Sequence, residues 1–130
     1  MKYNPVVWFE IYADDLERAQ KFYEKVLDLK LDELPMPEPM EGENKMEMLA
    51  FPMDMEATGA GGTLVKMDGV KAGGNSTLVY FGSEDCSVEE SRIEKAGGKV
   101  LQTKQSLGEY GFMILANDTE GNMFGVHSLK

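Results

Sequence analysis

Residues 6–31 read VVWFEIYADDLERAQKFYEKVLDLKL and carry two hydrophobic periods in succession. Residues 6–12 alternate, with Val7, Phe9 and Ile11 on one side and Trp8, Glu10 and Tyr12 on the other, which predicts a β-strand. From Asp14 the period changes. Asp14 with Glu17 has the spacing of a capping box, and Leu16, Ala19, Tyr23 and Val26 follow at helical intervals.

The same order recurs in residues 77–101, TLVYFGSEDCSVEESRIEKAGGKVL. A strand is expected at 77–81, a helix start at Ser87 with Glu90, and a helix stop at Gly97. Placing Asp15 on Asp85 gives a constant offset of 70 residues, so that Trp8 meets Leu78, Glu10 meets Tyr80 and Tyr23 meets Ile93. Three candidate strands follow each helix: 30–34, 45–51 and 62–67, then 99–103, 111–116 and 123–128. The Gly/Asn-rich DGVKAGGNS, residues 68–76, marks a seam. The expected organisation is one α+β domain, 1–130, of two tandem βαβββ modules at about 1–69 and 75–130. In each module an apolar strand face packs on the helices, and a mixed face carries Trp8, Glu10, Tyr12, Leu64, Lys66, Leu78, Tyr80, Gly125 and His127. Such a wall suits a small-molecule cavity.

Bulk properties narrow the function. A net charge of −10 disfavours nucleic acid, whose phosphates need clustered Lys and Arg, and leaves room for a cationic ligand. One cysteine, Cys86, allows no internal disulfide and no Cys-cluster metal site. It falls at a helix start with no catalytic partner evident. No apolar run approaches the roughly 20 residues of a membrane span, and the N-terminal residues do not read as a signal peptide. A cytoplasmic location and no membrane partner are the expectation. The glycine clusters GAGG and AGG lack the context of a phosphate loop and read as turns.

The stretches ADDLERAQKFYEKVLDLKL, SEDCSVEESRIEKAGGKV and NDTEGNMFGVHS together resemble the vicinal oxygen chelate superfamily, the glyoxalase/bleomycin-resistance-like proteins. Within it the ending resembles that of small glyoxalase-related predicted enzymes. The resemblance spans essentially the whole chain. It implies two βαβββ modules whose curved sheets enclose a cavity with helices outside, and commonly a homodimer. Metal-dependent members carry four His, Glu or Gln ligands on the first and last strands of the modules. Those positions fall on Trp8, Leu78, Gly125 and, by setting TGAGGTLVKM against TEGNMFGVHS, Leu64. None offers a nitrogen or oxygen donor. A shift of one residue brings in Val7, Val65, Val79 and Phe124 or Val126, which are no better. Neither metal nor another cofactor is expected.

Gly125 then reads as room left for a bound molecule or for Trp8, or else as a bulge or close strand contact. Glu10 is a candidate base or cation binder, or the ordinary partner of Lys66 or a backbone amide at a seam. His127, the one histidine, is a candidate proton shuttle or a hydrogen-bonding residue at a strand end. Trp8, Tyr12, Tyr80, Tyr110 and Phe112 are candidates for stacking on a planar ligand, or plain core. Six of the ten methionines lie between Met36 and Met55, suiting either an adaptable surface or a core strand, and the prolines of residues 35–39 suggest a lid or an ordinary loop.

Three functions compete on this reading. They are metal-independent binding of a small molecule, a metal-free isomerase or lyase using Glu10 and His127, and a metalloenzyme with relocated ligands.

Overall fold

A computed structural model describes residues 4–34 and 46–130. The elements run β1 (Trp8–Tyr12), α1 (Leu16–Leu27), β2 (Asp32–Glu33), β3 (Met46–Ala50) and β4 (Gly61–Met67), then β5 (Tyr80–Gly82), α2 (Cys86–Ile93), β6 (Lys99–Ser106), β7 (Phe112–Asn117) and β8 (Met123–Ser128). They form two four-stranded mixed sheets, ordered β1-β4-β3-β2 and β5-β8-β7-β6. In each sheet the first strand is an edge and lies parallel to the last. The α+β class and the βαβββ order of each half are as the sequence implied. The proposed lid, residues 35–39, lies outside the described residues, as do Met36 and Met40.

Both helices begin a residue or two away from the expected caps. Asp15, not Asp14, caps α1 and accepts from Arg18 N, while Asp85, not Ser87, caps α2 and accepts from Ser87 N. The two caps are the pair that defines the 70-residue offset. The end of α1 had no glycine to announce it. Asp28 takes a left-handed φ of 54° there, a conformation Asp tolerates better than most residues, and Glu24 Oε2 receives the Leu31 amide just beyond. The two helices pack together, with Arg92 Nη1 donating to Val26 O at 3.1 Å.

Tyr23 is the hub of the core. It sits on the inner face of α1, fully buried, with Phe51, Phe81 and Phe124 at centroid distances of 5.7, 5.8 and 5.5 Å. These rings come from both halves, so the two sheets share one core. Its hydroxyl donates to Asp118 Oδ2 at 2.6 Å. Asp118 opens the DTEGN turn between β7 and β8, and its Oδ1 collects the backbone amides of Glu120 and Asn122.

From that turn Glu120 reaches the N-terminus of α1. Its Oε1 accepts the amides of Asp14 and Asp15 at 2.9 and 2.8 Å, and Oε2 accepts Arg18 Nε at 2.6 Å. A carboxylate placed there satisfies otherwise orphaned helix donors and meets the positive end of the helix dipole. Asn122 completes the latch by donating to Tyr12 O and accepting from Gly73 N. The turn of the second half therefore grips the strand, the helix start and the connecting segment of the first.

Burial disfavours the charge on Glu120, but hydrogen bonds from Arg18, the Asp15 backbone and Thr119 outweigh it and hold the carboxyl below its ordinary range. The folded chain binds that proton less tightly than the unfolded chain does. The stabilisation is thus complete above the ordinary glutamate range and lost as pH falls through the lowered folded value. Tyr23 runs the other way. Burial, then the charge and hydrogen bond of Asp118, push its phenol well up. Its contribution persists below the ordinary tyrosine range and fades as pH rises beyond it.

Replacing Glu120 by Gln is expected to cost about 1–3 kcal/mol, because two helix amides and Arg18 lose a charged acceptor while half of Arg18 remains in water. Urea denaturation across pH checks it. The wild-type and E120Q stabilities should converge in acid and separate near neutrality.

Candidate functional site

A cleft of about 780 Å³ opens where the edge strands β1 and β5 face each other. Tyr23, Phe81 and Phe124 form its floor, and the connecting segment, through Lys71, Gly73 and Asn75, forms one wall. That wall is held in place by the latch. Asp14 Oδ1 accepts Ala72 N, Asn122 Oδ1 accepts Gly73 N, and Asn75 exchanges hydrogen bonds with the backbone of Met123.

Glu10 lies in this cleft between two aromatic donors. Its Oε1 accepts the Tyr12 hydroxyl at 3.0 Å, and its Oε2 faces Trp8 Nε1 at a longer 3.4 Å. Desolvation raises the Tyr12 phenol, and the hydrogen bond to Glu10 and its charge push the same way, so Tyr12 stays protonated and donating. Ion pairs among the described residues join Arg18 to Glu120, Lys21 to Glu17 and Lys104 to Asp85, and none includes Glu10. Leu78 and Tyr80 line the opposite strand, where Tyr80 is half-exposed.

Several expected site residues lie elsewhere. The register pairs Ile11 with Leu64 and Glu10 with Thr63, so Thr63 shares the face of Glu10 and Leu64 that of Ile11, the reverse of the sequence reading. Leu64 is wholly buried in the core on the helix side, and Thr63 and Val65 take the inner face. Alternation could not show this, because 62–65 are buried on both faces. Lys66 shares the parity of Leu64. It donates from Nζ to Asp14 O at 2.9 Å and neither lines the cleft nor pairs with Glu10. Among the described residues, the cation on the cleft wall is Lys71, which the sequence reading missed inside a glycine-rich linker.

Phe112 also lies on the helix side, half-buried under Lys104 at 4.6 Å from its ring centre. Tyr110 is 70% exposed in a short 3-10 turn, Gly108–Tyr110, away from the cleft. His127 does have the inner-face parity of Gly125, but its Nε2 sits 2.6 Å from Tyr110 O and it does not line the cleft. Glu10 and His127 are not brought together, and the proposed acid–base pair has no geometric support.

Gly125 lies directly beside Tyr80 across the parallel pair. A β-carbon there would collide with the Tyr80 ring. Pairing of β7 with β8 is regular through this point, so there is no bulge. The empty position accommodates Tyr80 rather than Trp8. Phe9 lies over Gly62 in the same manner.

The register also corrects one of the four positions that the resemblance implies for metal ligands. Because Glu10 and Tyr80 correspond, their partners Thr63 and Gly125 correspond, and the set becomes Trp8, Thr63, Leu78 and Gly125. A single neutral hydroxyl among these does not fit a divalent site, which needs several N, O or S donors. Among the described residues, no three His, Cys, Asp or Glu side chains gather as a metal-holding group. Thr63 Oγ1 is also the one buried side-chain polar atom among those residues without a hydrogen-bond partner.

A Thr63→Val exchange should therefore be neutral or stabilising by up to about 1 kcal/mol, whereas Gly125→Ala should cost about 1–3 kcal/mol by displacing Tyr80. Thermal and urea unfolding of the two variants measure both.

Residues 6–40 match the family model described as bleomycin resistance protein-like N-terminal. No curated protein matches the chain. Among solved structures, a hypothetical protein from S. aureus is similar at 18% identity and a TM-score of 0.68, over 96% of this chain and 94% of that one. A glyoxylase/bleomycin resistance protein/dioxygenase domain from Frankia sp. EAN1pec is similar at 18% identity and 0.67, over 98% of each chain. Glyoxalase I from Zea mays is similar at 25% identity and 0.72, over 96% of this chain but 46% of the maize enzyme. This chain thus spans about half the length of the maize protein. Among the described residues, no helix is long and apolar enough to cross a membrane.

Proposed function

For a chain of the glyoxalase/bleomycin-resistance-like fold, consistent with the vicinal oxygen chelate superfamily, we propose metal-independent binding of a small organic molecule, planar or cationic, between β1 and β5. One observation carries this reading. An aromatic-walled cleft holds a carboxylate, Glu10, that is oriented by Trp8 and Tyr12 yet lacks a cationic partner among the described residues. Apolar walls supply the affinity, and the carboxylate selects the charge. A ring stacked on Trp8 and Tyr80 with a cationic edge toward Glu10 uses all three groups. The acidity of the whole chain favours approach of such a ligand.

The protein acts from the cytoplasm, as a homodimer, in this proposal. Turnover by Glu10 and His127 is not part of the proposal, since His127 is turned to Tyr110 O.

Trp8 is the chain's one tryptophan, so its fluorescence reports directly on the cleft. Titration with proflavine, a planar aromatic cation, should quench it saturably and equally with or without EDTA. Tyr80→Ala should weaken binding about tenfold, the loss of one stacked aromatic contact. Binding that needs an added divalent metal, or that ignores Tyr80, would contradict the reading.

A further inference from the structure

The cleft is lined by unbroken runs of residues, from Trp8 through Tyr12 and from Leu78 through Gly82. Side chains of a strand alternate between faces, so an unbroken run means that strand edges as well as side chains border the space. The hydrogen bonds show which backbone groups are turned toward it. Ala13 N donates to Val65 O, which directs the odd-numbered residues of β1 toward β4. The N–H and C=O groups of Trp8, Glu10 and Tyr12 then point to the free edge. Asn122, itself on the cleft wall, donates to Tyr12 O and confirms the direction. On the other wall Gly125 N donates to Val79 O and Ser83 N to His127 O, which turns Tyr80 and Gly82 outward. Among the described residues, the backbone groups of Trp8, Glu10, Tyr80 and Gly82 on these edges have no protein partner.

Exposed strand edges are templates for another strand, and proteins ordinarily blunt or cover them. Here two edges border one cleft, and the central residue of β1 carries a carboxylate with no ion pair among the described residues. We propose that the cleft takes an extended peptide bearing a basic side chain, which adds to the free edge of β1 while its cation meets Glu10. This rests on the cleft being a binding site and specifies the ligand class.

Trp8 and Glu10 offer both their backbone groups, while Asn122 closes the edge at Tyr12 O, so the edge accommodates roughly three or four residues of ligand. The period of two puts every second ligand side chain on the Glu10 face. Each carboxylate oxygen of Glu10 uses one acceptor direction on Trp8 or Tyr12 and keeps another for a guanidinium. The chain's net charge of −10 supports a basic partner over an acidic one.

The test titrates Trp8 fluorescence with acetyl-Val-Arg-Val-Arg-Val-amide, with the same peptide N-methylated at alternate amides, and with proflavine. Saturable quenching by the first peptide is expected, weakened about tenfold or more by N-methylation in the register that faces β1 and severalfold by Glu10→Gln. Equal binding of both peptides overturns strand addition. Quenching by proflavine without any response to peptide also overturns it, and leaves the small-molecule reading standing. No response to any probe overturns both. Sedimentation in the same buffers identifies a rival occupant: a peptide response that vanishes as the protein dimerises assigns the edge to a second copy and overturns the proposal.

Discussion

The carboxylate of Glu120, set against the first turn of α1, is the contact on which the arrangement of the two halves depends. Its four hydrogen bonds, from the amides of Asp14 and Asp15 and from Nε and Nη2 of Arg18, cross more than a hundred residues of sequence. Helix α1 carries Tyr23, the ring around which Phe51, Phe81 and Phe124 assemble. Where the start of α1 is fixed, Tyr23 is fixed, and the floor of the cleft with it. The DTEGN turn, part of the resemblance read from the sequence, is therefore, in physical terms, a fastening. Asp118, Glu120 and Asn122 are all buried, and between them they tie down a strand, a helix start and a linker.

Among the described residues, no three His, Cys, Asp or Glu side chains gather along the cleft to hold a metal. Trp8 and Leu78 bring apolar bulk to two of the positions that the resemblance implies for ligating groups. At Gly125 the open position is filled by the neighbouring ring of Tyr80, and Thr63 keeps a hydroxyl with no partner among the described residues. In the proposed binding, this wall would act through stacking, the Glu10 carboxylate and exposed backbone groups. These favour selection of a ligand by shape and charge. Orientation of Glu10 by Trp8 and Tyr12 means that the carboxylate need not reorganise when a cation arrives, which reduces the cost of binding.

The sequence was most legible where a period repeated. The change from alternation to helical spacing located β1 and α1, and the 70-residue offset superposed two residues that prove to be the helix caps, Asp15 and Asp85. It was least legible where burial was two-sided. In β4 the run Thr63, Leu64, Val65 is hydrophobic or small on both faces, so the inner residues could be recognised only from the pairing with β1. Phe112 failed for a related reason, since an aromatic residue on a strand suits a wall or a core equally. The empty space at Gly125 was readable as a gap, but the residue filling it belongs to another strand. Glu120 stood in a recognised turn without its target being visible, because nothing local links it to Asp14. Lys71 was hidden within a linker whose glycines invited a reading as a mere connection.

Native-state hydrogen exchange at the backbone amides of Asp14 and Asp15 tests the fastening most directly. These amides precede the first regular turn of α1 and have the Glu120 carboxylate as their acceptor. The account predicts that they exchange as slowly as core amides of β8 such as Val126, and that E120Q accelerates them far more than it accelerates Val126. Exchange at the rate of an open loop in the wild-type protein would contradict it.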